Sequence, residues 1–193
     1  MYPKKFQALI DSFSHLPGVG KKTAERYAYS FINMNKEDIH TFINILSDAE
    51  NGICKCKKCG NLSENDICDI CNDMNRDMNI ICIVQSPKDV NVIESLNQYN
   101  GIYHVIGGMI NISKGILPEN LNIHTILNKI NENTKEVIIA LDPTVDGETT
   151  TMYISRLLDG KCKVTKLAHG IPIGGHLEYI DDLTLLKAFE RRS

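Results

Sequence analysis

Residues 56–71, CKKCGNLSENDICDIC, carry two C-x2-C pairs separated by eight residues, and no other stretch restricts the fold so tightly. Each pair can turn so that two thiolates face one ion, and four thiolates complete the tetrahedral shell of Zn²⁺ with no position left open. That is structural chemistry, in which Cys56, Cys59, Cys68 and Cys71 are expected to hold one zinc per chain. Free thiols or a redox pair would leave the second C-x2-C without a purpose. Cys54, separated from Cys56 by a single residue, is too close to complete another pair and reads as a bystander. Cys82 and Cys162 stand alone in apolar contexts, as buried small side chains do in a reducing compartment.

The hydrophobic pattern differs on the two sides of this module. Before it, Phe6, Leu9, Ile10 and Phe13 share one helical face, Ala24, Tyr27, Ala28 and Phe31 share another, and residues 37–49 give a third through Ile39, Phe42, Ile43 and Leu46. After it, NDMNRDMN (72–79) reads as a linker. From residue 80 strands and helices alternate: strand IICIVQ, helix PKDVNVIESL with proline in its first turn, strand GIYHVIGG, a helix over 119–131, strand EVIIAL, a helix over 148–158 and strand KCKVTKLA. The fold class is therefore α/β, with helices, then the cysteine module, then a mostly parallel sheet covered by helices.

Hydrophobic residues at 42% and charged residues at 23% are ordinary for a globular protein, and no apolar run approaches the roughly 20 residues that cross a bilayer. No signal peptide is evident, so a cytoplasmic location is the default expectation. The net charge of -3, with no segment basic overall, excludes a uniformly basic nucleic-acid binder. DNA binding would need a local patch, or copies of one gathered by oligomerisation.

One such patch is LPGVGKKTAERYA (16–28). Gly18 and Gly20 let the backbone approach a phosphate, and the free amides that open the next helix can donate to it. Lys21 flanks the turn, while Lys22 and Arg26 lie on one helical face, a set that grips a backbone without reading bases. The bland reading is a helical hairpin with a solvated charged face. The pattern resembles the helix-hairpin-helix motif of proteins that bind DNA without sequence preference.

The stretch LDPTVDGE (141–148) sets Asp142, Asp146 and Glu148 directly after a strand. Taken with IICIVQSPKD, it resembles the Toprim domain of topoisomerases and primases, in which a glutamate exchanges protons and two aspartates hold Mg²⁺. This chain departs at two of those positions. Gln85 stands where the glutamate is expected and cannot exchange a proton near neutral pH, and Thr144 stands where the second aspartate is expected. The remaining acids could hold Mg²⁺ weakly, cap the following helix, or form a docking surface for a basic partner.

Glycine turn, four-cysteine module, degenerate Toprim layout and the ending AHGIPIGGHLEYIDDLTL occur in the order of the bacterial recombination mediator RecR family, which the whole chain resembles. The division implied is 1–53 helix-hairpin-helix, 54–78 zinc finger and linker, 79–168 Toprim, and 169–193 a C-terminal segment. The resemblance implies no catalytic residues and a homo-oligomeric, tetrameric ring on DNA. It also implies work with RecO, and in some contexts RecF, to help RecA load at gaps and breaks, with the acidic loop facing RecO. The other reading is a Mg²⁺-dependent Toprim nuclease or primase-like enzyme. LEYIDD has the look of a Walker B strand, yet the chain has no G-x-x-x-x-G-K-[ST] loop, so ATP hydrolysis is not expected. Gly170, Pro172, Gly174 and Gly175 suggest a fixed turn ordering a tail that packs within the subunit or on a neighbour.

Overall fold

The computed structural model describes every residue except 1, 169, 172, 173, 175 and 191–193. It divides into two compact units, Met1–Ile53 and Cys54–Ser193.

The first unit is helical: α1 (Lys4–Ser14), α2 (Lys21–Ile32) and α3 (Lys36–Gly52). Ala24 and Ala28, one turn apart on α2 and fully buried, let α1 approach closely enough to bury Ile10. Phe6, Leu9 and Phe13 of α1 complete that core, so the helical periodicity in the sequence points inward as expected. The α3 helix differs. Asn35 caps it by accepting the Asp38 amide at 2.7 Å, yet none of its side chains is buried, and Phe42, Ile43, Ile45 and Leu46 are all exposed.

The second unit opens with the short hairpin β1 (Cys54–Lys55) and β2 (Leu62–Ser63), followed by the single turn α4 (Asp69–Asn72). Next come β3 (Asp77–Val84), α5 (Pro87–Glu94), β4 (Gly101–Val105), β5 (Glu136–Ala140), α6 (Val145–Leu157), β6 (Val164–Lys166) and α7 (Asp182–Glu190). The four longer strands form one parallel sheet in the order β4-β3-β5-β6. Ile81 and Ile83 of the central β3 face one apolar layer with Ile126, Ile154 and Leu158, while Cys82 and Val84 face another with Tyr103 and Val90. Burial on both faces is why β3 reads as a continuous apolar run rather than an alternating one. Among the described residues no helix is long and apolar enough to cross a membrane.

Four expectations are corrected. Residues 119–131 do not form an α-helix; they form 3₁₀ turns at Pro118–Asn120 and His124–Asn128. The Asn122 carbonyl that an α-helix would offer to the Ile126 amide instead accepts His104 Nε2 at 2.6 Å, and Ile126 turns to the Ile123 carbonyl. Burial, aided by the Lys129 charge, lowers the His104 pKa to about 4, so the ring is neutral and carries its proton toward that carbonyl. The supposed linker 72–79 is ordered. Arg76 donates to Glu94 at 2.8 Å, Asp77 already pairs with Gly101 across the sheet, and the strand begins two residues before the linker should end.

The helix expected over 148–158 begins at Val145, because the Thr144 side chain caps it by accepting the Gly147 amide at 3.1 Å. LEYIDD is no strand: Leu177–Tyr179 is a 3₁₀ turn, and Asp181 accepts the Thr184 amide at 3.0 Å as α7 starts. Gly174 takes the left-handed φ of 86° that a glycine turn allows, while Pro172 and Gly175 lie outside the described residues.

Arg76, with its side chain 13% exposed, also contacts the Gly101 carbonyl, and Glu94 accepts from the Tyr103 hydroxyl at 2.6 Å. Replacing one member of such a pair strands the other charge, so Arg76→Met is expected to lower the unfolding free energy by roughly 3 kcal/mol at neutral pH in urea titrations. The hydrogen bond from Arg76 holds the Glu94 carboxyl below its ordinary range. The stabilisation is thus complete above the unfolded carboxyl pKa of about 4.3 and is lost as pH falls through the lower folded value. The gap between wild type and variant should narrow in acid.

Candidate metal centre and nucleic-acid interface

The four cysteine sulfurs predicted as ligands lie within 4.8 Å of one another, and all four residues are buried. Local backbone geometry brings them there. Gly60 adopts φ +78°, its amide donates to the Cys56 carbonyl at 2.9 Å, and the first pair closes into a tight knuckle. Cys68 sits at the N-cap of α4, so that Cys71 faces it one turn later. Backbone amides point at the sulfurs, Cys68 N to Cys56 Sγ at 3.3 Å and Asn61 N to Cys59 Sγ at 3.5 Å. Cys54 lies outside the cluster, exposed, with its thiol on the Asn65 carbonyl at 3.3 Å.

The thiols of the cluster do not ionise alike. Burial pushes Cys56 up, but amides of Cys68, Cys59 and Lys58 outweigh it and bring its pKa down to about 6. Burial drives Cys68 up to about 11, and a hydrogen bond with Cys71 followed by burial drives Cys59 higher still. A divalent cation supplies the charge that lets all four deprotonate, and buried tetrathiolate donors with no open position suit zinc.

In the helical unit, Gly18 takes φ +80°, and neither Gly18 nor Gly20 has any atom within 4 Å of where a Cβ would stand. The space over the turn is open. Gly20 caps α2 with no side chain, the first turn of α2 holds no acid, and the Lys21, Lys22 and Thr23 amides have no partner among the described residues. Lys21, Lys22 and Arg26 are exposed, and none of the ion pairs among the described residues uses them; Arg26 lies 5.9 Å from the centre of the Tyr27 ring.

Gln85 and Asp142 stand just past the carboxyl ends of the adjacent strands β3 and β5, the place where α/β sheets gather ligands. The three carboxylates of the loop are not gathered around one ion. Among the described residues, the four cysteines are the one group of three or more metal-binding side chains close enough to share an ion. Asp146 accepts from the Asn111 side-chain amide, Glu148 lies 3.6 Å from Lys187 of α7, and only Asp142 is exposed. Gly147 explains the loop's shape: a Cβ there would stand 1.9 Å from the Asp142 carbonyl oxygen, so only glycine lets the strand end fold back onto the helix. Asn111 and Lys187 carried no signal in the sequence, since their partners are 35 and 39 residues away.

Family models match nearly the whole length. A RecR helix-hairpin-helix model covers residues 6–50, a RecR four-cysteine zinc finger model 53–73, a Toprim domain model 79–168 and a RecR C-terminal model 170–193. The chain belongs to the RecR family. That membership carries a role in recombinational DNA repair, and the zinc-finger match together with the buried cysteine cluster fits one structural zinc per chain. The helix-hairpin-helix match suggests DNA binding, and the family suggests partnership with RecO.

Removing two ligands by Cys68→Ala with Cys71→Ala should abolish zinc binding, read by atomic absorption. Because the Val105 amide donates to the Cys59 carbonyl at 2.8 Å, hydrogen exchange at Val105 should speed up in the same variant.

Proposed function

We propose that the protein is a non-enzymatic DNA clamp that acts with RecO, and with RecF, to promote RecA loading at single-strand gaps and breaks. Its division of labour follows residues 1–53 for DNA, 54–78 for the zinc module, 79–168 for the Toprim domain and 169–193 for the C-terminal segment. The observation that carries this reading is the start of α2: an open glycine turn, three cations and free amides with no partner among the described residues, and no acid in the first turn. Such a surface binds phosphates without reading bases.

Self-association is supported by α3, whose apolar side chains Phe42, Ile43, Ile45 and Leu46 are exposed. A ring of four subunits would bring four copies of Lys21, Lys22 and Arg26 toward one channel, giving an acidic chain a cationic interior. The absence of catalysis is supported by chemistry at the sheet end. Gln85 has no titratable proton, the Thr144 oxygen is occupied in capping α6, and Asp146 and Glu148 face Asn111 and Lys187. The Mg²⁺-dependent nuclease or primase-like alternative has no such observation in its favour. The exposed Asp142 is then the acid best placed to meet a basic surface of RecO.

Lys22→Glu with Arg26→Glu should weaken binding to DNA of any sequence by more than tenfold at moderate salt, measured by fluorescence anisotropy, with zinc content unchanged. Unaltered binding would remove α2 from the DNA interface. Asp142→Lys should impair binding to RecO while the protein alone keeps its DNA affinity; equal loss of both would assign the loop to DNA.

A further inference from the structure

A cleft of about 850 Å³ opens between the zinc module and the β4 edge of the sheet, within the second unit. Its charged lining is one-sided: Lys55, Lys57, Lys58 and Lys129 contribute, and no described lining residue is acidic. That is unexpected in a chain whose net charge is -3.

Not all four lysines are available. Lys57 is paired with Asp66 at 2.7 Å. Lys129 is half-buried, donates to the Tyr103 carbonyl at 2.9 Å and lies close enough to the four cysteine thiols to feel their charge, so that it would offset part of the negative charge of a bound zinc tetrathiolate. Lys55 and Lys58 are left exposed and without an acidic partner among the described residues. They are also held in place. Lys55 pairs with Leu62 in the β1–β2 hairpin, and Lys58 lies inside the knuckle that Cys59 fastens to Val105.

The rest of the lining narrows the ligand. The Asn128 side chain has no hydrogen-bonding partner among the described residues, and Asn120 spends its side-chain oxygen on the Leu117 amide, which leaves its NH₂ free to donate. Point charges from lysine with neutral amide donors suit phosphate and sugar oxygens. An acidic peptide is better gripped by arginine forks, and no arginine lines the cleft. A single strand is held by stacking on aromatic rings, and none lines it either.

We propose that this cleft is a second DNA contact, in which Lys55 and Lys58 grip the phosphodiester backbone of a duplex independently of sequence. The proposal rests on the DNA-binding reading of the helical unit and adds to it a contact carried by the zinc module. Zinc then has a functional consequence: it fixes the two lysines over the sheet edge rather than touching DNA.

The test compares the protein with three variants for binding a labelled duplex of arbitrary sequence across a salt series. Lys55→Gln with Lys58→Gln should weaken binding roughly tenfold and reduce the slope of log affinity against log salt by about 2, with zinc content and unfolding midpoint unchanged. Lys55→Arg with Lys58→Arg keeps the charge and should keep the affinity. Lys22→Glu with Arg26→Glu reports on the helical unit in parallel. If that variant loses binding while the glutamine pair binds as wild type, this proposal falls, the clamp reading stands, and the cleft passes to an acidic protein segment. Failure of the arginine pair to bind would mean that packing, not charge, matters at these positions, which also overturns it. Absence of duplex binding by the wild type would overturn both readings.

Discussion

The contact on which the second unit depends is the seating of the cysteine knuckle against β4. An edge strand exposes unpaired amides and carbonyls, and a bare edge invites pairing with another chain. Here the Val105 amide donates to Cys59 and the Val105 carbonyl accepts from the Asn122 side chain at 3.1 Å. Ile70 packs against both the sulfur cluster and the Tyr103 layer, so the module and the sheet share apolar contacts as well. Gly60 permits the approach: a Cβ would meet the Val105 carbonyl at 3.1 Å, in a backbone conformation that side chains already disfavour. The four thiolates therefore organise more than their own loop. They hold the element that closes the edge of the sheet and that carries Lys55 and Lys58 of the cleft.

At the opposite level of organisation, the acidic loop keeps the frame of a metal-dependent site and has changed its contents. The strand ends, the tight return at Gly147 and the capped helix start are all in place. What stands at the reacting positions is an amide, a capping hydroxyl and two acids already engaged by Asn111 and Lys187. A frame of this kind can serve recognition because its rigidity comes from backbone contacts rather than from a bound ion. Asp142, the acid left exposed, projects from a strand end whose position the sheet sets.

Much of this was legible in the sequence, for a physical reason that is the same in each case. Ligand spacing in C-x2-C pairs, helical repeats such as Ala24 and Ala28, and the apolar run of β3 are all local patterns, set by the geometry of a few consecutive residues. The departures at Gln85 and Thr144 are equally plain, since the chemistry of an amide and a hydroxyl does not depend on the fold. The α3 helix shows the limit of pattern. Its apolar face is periodic in the sequence, but periodicity does not say what covers it, and no α3 side chain is buried.

By itself, then, the sequence determined the zinc ligands, the cationic glycine turn and the parallel α/β layout, because each is written in neighbouring residues. Only the tertiary structure decided which groups are already spent. His104 takes the Asn122 carbonyl and turns an expected α-helix into 3₁₀ turns, and Arg76 meets Glu94 and makes a strand start out of an expected linker. Among the described residues Lys57 is paired with an acid while Lys55 and Lys58 are not. Hydrogen bonds and ion pairs between distant segments form only when the chain has packed, so no spacing in the sequence could have assigned them.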